Sequence, residues 1–304
     1  MQSTRDIKKR IRSVKNISQI TKAMEVVSAT KMRRSQEFAL RARPYAVASL
    51  EMMQNLLMRT PVLPNLLMER KIEKTLVVVV TSDKGLAGAF NANILRKAEQ
   101  KIADLKTPFS LVTVGKKARD YFAARNTLVD KSFWDFGDYT LLKDTLPVAE
   151  HIIQNFIEKK CDEVYVVYTN FRTTLRQETM IKKVLPATFE GISDAVMSIL
   201  PEHGRFAENS ATPSMQYSFE YKFEPSPTEI LEVLALQLLR MHIHHIILES
   251  NASEHSARMV AMKNASENAK ELITGLSLQY NKTRQAGITR ELTEITAGKE
   301  ALEG

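Results

Sequence analysis

Three groupings in this 304-residue chain could do chemistry. The first is Ser82-Asp-Lys-Gly-Leu-Ala-Gly-Ala-Phe-Asn91, a turn that follows an apolar run and precedes a helical pattern. A glycine-bearing turn in that position could hold a phosphate on the backbone N–H groups of a helix N-terminus. The spacing matches neither G-x-x-x-x-G-K-[ST] nor G-x-G-x-x-G, and no acidic partner for a ribose is evident. The turn is therefore read as structural, with Gly85 and Gly88 allowing a tight bend and close helix packing, and Asp83 as a cap. The second grouping is His242-Ile-His-His245, with His255 beyond it. His242 and His245 fall about one helical turn apart, but no carboxylate or cysteine is read at ligand spacing, so no metal site is expected. The third is Cys161, the only cysteine. It excludes an intramolecular disulfide and a Cys-based zinc site and points to a reducing, cytosol-side location. No Ser/His/Asp grouping or paired carboxylates stand out elsewhere. The chain is expected to catalyse nothing by itself and to need no cofactor.

The elements that would position these groups are of two kinds. Thr75–Thr81 is a continuous β-branched run, as expected of a strand buried on both faces. Ser110–Val114 and Val164–Tyr168 are similar, and helical patterns at Ala92–Leu105, Lys116–Ala124 and Thr145–Lys159 lie between them. That alternation predicts right-handed crossovers and a small parallel sheet, a Rossmann-like α/β domain over 72–190. Asn170–Thr174 joins a further polar/apolar run ending at Pro186, which reads as an antiparallel hairpin. Residues 191–225 are expected as a long irregular connection.

The ends of the chain read as helix of unusual length. From Gln2 to Arg59 there is no glycine and one proline, Pro44, expected to mark a kink or boundary because its ring removes a donor and disfavours helix at Arg43. Ile17, Met24, Phe38, Tyr45 and Met52 recur at sevens and predict one line of a seam; Ile7, Val14, Thr21, Ser28, Ser35, Ala42 and Ser49 predict a second, smaller one. The closing helix starts at Ser226-Pro-Thr-Glu229, a capping box with Pro at the first helical position. Its a/d register runs from Leu231 and Leu234 through Met262, Ser266 and Ala269 to Tyr280. The repeat loosens beyond Tyr280, so the last turns are expected to leave the pairing as a single helix. At ~1.5 Å per residue these helices are roughly 85 and 110 Å long, too long to wrap one compact core. Paired, residues 1–59 and 226–304 make a coiled coil; the alternative is ordinary amphipathic helices of an all-α domain.

Charge narrows the partners. Residues 1–43 hold twelve Lys/Arg against Asp6, Glu25 and Glu37, more than the whole chain's formal +8. An acidic surface is the natural complement, whether nucleic acid, anionic lipid or an acidic protein ring. Residues 1–37 contain no aromatic, which weakens the nucleic-acid reading. No run of eighteen apolar residues appears, so no membrane span is expected.

Three motifs then carry a resemblance. Ile20-Thr-Lys-Ala-Met-Glu-Val-Val-Ser-Ala-Thr-Lys-Met-Arg33, with Arg43-Pro-Tyr45 behind it, resembles the opening signature of F-type ATP synthase gamma subunits. Glu254–Ser266 and Tyr280–Ile295 resemble the closing one, and Ser82–Gly88 the internal one. The resemblance implies a long antiparallel coiled coil plus a central Rossmann-like domain. It implies a non-catalytic rotor shaft, one copy per complex, inside a ring of alpha and beta subunits. Epsilon and the membrane ring of c subunits would meet it outside that ring, at the cytoplasmic side of a bacterial cell membrane. Residue by residue, it implies that Lys22 and Met24 face the acidic levers of beta and that Lys84 makes similar contacts. Arg284 and Gln285 match a catch near the shaft tip, with Thr289 and Glu294 beyond; Arg258 lies in the paired region. With one cysteine the chain should lack the redox switch of chloroplast-type members. Glu202–Tyr217 matches no motif and is expected as a lineage-specific loop.

Overall fold

The computed structural model describes residues 3–58, 60, 63–136, 140–197 and 223–303; the Glu202–Tyr217 stretch lies outside them. The chain forms two compact units, Met1–Val27 with Met259–Gly304, and Ser28–Arg258. Helix α1 spans Thr4–Leu57 and α6 spans Pro227–Glu303.

The second unit is built on a five-stranded sheet, β1 (Thr75–Val80), β2 (Phe109–Val114), β3 (Val129–Phe133), β4 (Glu163–Phe171) and β5 (Gln177–Leu185). Its order is β3-β2-β1-β4-β5, parallel except for β5, which returns antiparallel to β4 as the hairpin pattern predicts. Helices α2 (Phe90–Asp104) and α3 (Lys116–Ala123) cover one face, packing Ile94, Ala98 and Phe122 on Val77, Val79 and Leu111. Helix α4 (Leu142–Ile157) covers the other face with Val148, Ile152 and Phe156, against Leu76, Val78 and Val80. β1 is thus buried on both sides, which is why its sequence runs apolar without alternation. Each fully buried valine there is worth roughly 1.5–3 kcal/mol relative to exposure.

Residues 28–57 and 227–258, expected within the paired helices, also complete this core. Leu50, Met53 and Leu56 of α1 and Leu238, Ile243 and Ile246 of α6 join the face that α4 covers. That burial explains why α1 runs through Pro44 without the expected boundary. Proline removes one hydrogen bond there, but Ala46, Leu50 and Met53 are fixed by the core a turn or two further on. It also explains an eighteen-residue window of α6 with mean hydropathy 1.3, apolar enough to cross a membrane by composition; 56% of it is buried inside the protein. Two elements were not legible: the edge strand β3, and α5 (Phe189–Met197), which lies in the stretch expected to be irregular.

In the first unit the two helices pair. Ile7, Ser18 and Thr21 are buried on α1, and Met262, Ser266, Ala269 and Leu276 on α6. The Ser266 hydroxyl donates to the Ser18 carbonyl at 3.4 Å, a contact that needs small residues on both backbones. An antiparallel register through that contact sets Thr4 near residue 280, and burial on α6 ends at Thr283 accordingly. The buried lines of α1 are the small one predicted and another through Ser18, Met32, Ala46 and Met53. The larger predicted line is therefore one residue off. Ile17, Tyr45 and Met52 face outward instead.

Helix α6 begins as its sequence predicts. The Glu229 amide donates to the Ser226 hydroxyl at 3.3 Å, and that hydroxyl donates to the Glu229 carboxylate at 3.0 Å.

Gly115, at the end of β2, has φ +95, and a Cβ there would lie 2.2 Å from the Thr81 carbonyl oxygen. Gly115→Ala is expected to cost about 3 kcal/mol or more, through backbone strain and steric overlap together. Gly275→Ala, in an open helical position, should instead raise stability by up to ~1 kcal/mol. Denaturant midpoints of the two variants check the contrast.

Candidate functional site

The turn after β1 sits at the carboxyl end of the parallel strands. Crossovers leave on one face through α2 and α3 and on the other through α4, so the winding reverses between β1 and β4. Ligands of doubly wound sheets bind in the crevice at that point. Here protein groups fill it.

Ser82 and Asn91 tie the base of the turn, with the Asn91 amide donating to the Ser82 hydroxyl at 2.8 Å and the Ser82 amide donating back at 3.1 Å. Asp83 accepts from the Lys116 amide at 2.8 Å and from the Asp135 amide at 2.9 Å. It caps α3, not the helix that follows it in sequence. The Thr81 hydroxyl takes the Ala118 amide at 2.9 Å. The first amides of α3, which could cradle a phosphate, are therefore answered from within the chain. Leu86 holds φ +62 and Gly88 φ +57, and the bend leaves Lys84 and Leu86 exposed.

Helix α6 closes the crevice from the other side. Arg258 is only 7% exposed. Its Nη2 donates to the carbonyls of Lys84 (3.2 Å) and Gly85 (3.1 Å) and to Glu254 Oε1 (2.6 Å), and its Nε donates to Gly85 at 3.2 Å. Burial raises the Glu254 carboxyl above its ordinary pKa, and the arginine's charge opposes that rise. One turn back, the Ser253 hydroxyl donates to the Thr169 carbonyl at 3.1 Å, and the Ser256 hydroxyl to Thr174 at 2.8 Å. The resemblance grouped Arg258 with contacts to the ring. The structure gives its guanidinium to the turn and to Glu254, so it acts by holding the 84–85 backbone.

The other expected residues are at the surface. Lys84 is exposed beside this clamp. In the first unit Lys22 is exposed and pairs with Glu25 at 3.0 Å, and Met24 is half-buried. Arg284, Gln285, Thr289 and Glu294 are all exposed, as is every residue of α6 from Arg284 to Lys299. Two apolar stripes went unread as surfaces. Ile17, Ile20 and Val27 recur at helical spacing with Met24 on the outer side of α1, each half or more exposed. Ile288, Leu292 and Ile295, 50%, 61% and 70% exposed, do the same near the end of α6. The available signal was apolar residues at positions the seam does not use. The histidines also differ from expectation, because a carboxylate does accompany them: Glu249 lies 3.3 Å from His245. Even so, among the described residues no three such side chains gather as a metal site.

Comparison with known proteins decides the family. Residues 3–302 match the family model described as ATP synthase. The chain is 42% identical to the ATP synthase gamma chain of Roseiflexus castenholzii, over 99% of each sequence. It belongs to the F-type ATP synthase gamma chain family. Identity with the gamma chain of Moorella thermoacetica is 37%, over 99% of this chain and all of that one. The fold is also that of a chain in the Euglena gracilis mitochondrial ATP synthase OSCP/F1/c-ring structure, with TM-score 0.65 and 22% identity over 98% of this chain and 94% of that one. A chain of the rotor of the same enzyme superposes with TM-score 0.61 at 20% identity, over 94% and 98%. In this chain the internal family motif is a buttressed turn, and Arg258 and Glu254 are the buttress.

Arg258→Ala should cost about 3–5 kcal/mol, the usual penalty for truncating one partner of a buried ion pair. It should also accelerate hydrogen exchange over residues 83–88. Denaturation and exchange mass spectrometry check both; a cost below about 1 kcal/mol would place the turn's stability elsewhere.

Proposed function

We propose that this chain is the rotating shaft of the complex, with residues 1–59 and 226–304 as the shaft and 72–190 as the body that meets the rest of the rotor. Residues 191–225 connect them, and α5 runs into that connection from Phe189. The observation that carries the reading is the end of α6. From Arg284 to Lys299 the helix has no covered side, yet Ile288, Leu292 and Ile295 line one face of it. A lone helix of that length is marginal in water and gains from a surrounding apolar wall. A ring of alternating alpha and beta subunits supplies such a wall.

Within the ring, Lys22 and Met24 face the acidic levers of beta. Lys84 makes a similar contact from the buttressed turn. Arg284 and Gln285 engage the catch, with Thr289 and Glu294 beyond them. Each exposed charge contact is worth ~0–1 kcal/mol, small enough to be broken at every step of a turn. Because the two helices present different side chains around their circumference, identical beta subunits meet different surfaces in turn. Differential contact of this kind is what shifts a conformational equilibrium. Epsilon and the c-subunit ring hold the body, and proton flow turns the assembly at the cytoplasmic side of the bacterial cell membrane. The chain itself is non-catalytic; the turn's structural use, with Asp83 capping α3 and its carbonyls held by Arg258, supports that reading. Cys161 is buried, and that burial pushes its thiol up to about 12, which leaves it no thiolate for redox control.

Reconstitution with alpha and beta chains tests the reading. The three should co-purify with one copy of this chain, and cooperative ATP hydrolysis should depend on it. Met24→Lys, which adds a cation beside the beta levers, should lower ATP yield per proton while leaving assembly intact; an unchanged yield argues against that placement. Arg284→Ala should slow turnover roughly threefold to tenfold, the kinetic equivalent of losing ~0.6–1.4 kcal/mol.

A further inference from the structure

Helix α6 carries His242, His244 and His245 where it packs on the sheet and α4, and the shaft reading gives them no task. His242 is 7% exposed, and its Nε2 has no hydrogen-bond partner. The charges acting on it are those of Lys182 on β5 and of His245. His244 Nδ1 lies 2.8 Å from the Thr145 hydroxyl on α4, with Asp144 as the nearby carboxylate and His245 as the opposing cation when protonated. His245 Nε2 lies 3.3 Å from Glu249 Oε1, near enough for a charge pair but out of line for a hydrogen bond. Glu249 also takes the Tyr168 hydroxyl from β4, so the one carboxylate on this stretch of α6 is already shared. The flanking side chains are Ile243, Ile246 and Ile247, all in the core.

We propose that this stretch of α6 is an acid-labile latch, which holds the helix on the sheet while its imidazoles are neutral and releases it when they take up protons. A proton on His242 would create a buried cation facing Lys182 with no acceptor of its own. That state is costly inside a protein and cheap in water. Burial accordingly lowers His242 to about 3, with Lys182 adding to the effect. Burial likewise lowers His244 to about 4, against the pull of Asp144. Both groups sit near 6.5 when released. The released chain therefore binds up to two more protons than the packed one between pH 6.5 and 4. The latch is fully closed above about 6.5 and weakens as pH falls through that window. Burial raises the Tyr168 hydroxyl far above this window, so it stays neutral throughout.

The test uses the full chain. Folding equilibria of the wild type and of the His242→Gln/His244→Gln variant are measured by denaturant titration at pH 7 and pH 5. The wild type should lose roughly 500-fold more folding equilibrium over that interval than the variant. Equal losses overturn the proposal. Should the variant not fold, histidine-labelled wild type is titrated by NMR: both imidazoles should remain neutral at pH 5, and a midpoint of 6 or above for either one overturns it.

Discussion

Arg258 packs against the turn at the end of the sheet where doubly wound folds bind ligands, and a buried guanidinium must be met by acceptors. The carbonyls of Lys84 and Gly85 and the carboxylate of Glu254 meet it. Those acceptors fix the path of the turn, and the turn fixes where Lys84 and Leu86 reach solvent. The same stretch of α6 holds β4 and its hairpin through Ser253 and Ser256. The end of the sheet where chemistry usually takes place has thus become a structural joint. A fold suited to binding nucleotides is used here to position a helix.

The pairing of α1 with α6 follows a second constraint. Small residues in the seam bring the backbones close, as Ser18 and Ser266 show. Other bulky apolar residues stand on the outer side, where Ile17, Ile20 and Val27 are half or more exposed. The first unit thus pairs through one side of α1 and leaves an apolar stripe on the other.

Sequence reasoning succeeded where one local signal had one physical cause. β1 is apolar throughout because both its faces are covered, and a helix starts at Ser226 because its hydroxyl takes the Glu229 amide and is itself held by the Glu229 carboxylate. It failed where the cause was tertiary. β3 reads Val-Asp-Lys-Ser-Phe, an edge strand with one half-covered face, and carries no clear alternation. Pro44 looks like a boundary until the core that fixes Ala46 and Leu50 is known. Of the two predicted lines of α1, the small one through Thr21 and Ser28 is buried and the larger one lies one residue off, a difference too fine for a seven-residue repeat to settle. Arg258 is charged yet buried, and only the position of Gly85 reveals the carbonyls that claim it. The motifs themselves were legible, but what each motif touches was not.

The uncovered end of α6 bears on how such a chain survives before it has a home. Three aliphatic side chains on a solitary helix are an invitation to self-association and, when the helix frays, to proteases. A copy synthesised in excess of its companions would be removed faster than one already enclosed. Subunit numbers in the cell could then be matched by degradation of the surplus, with no dedicated sensor.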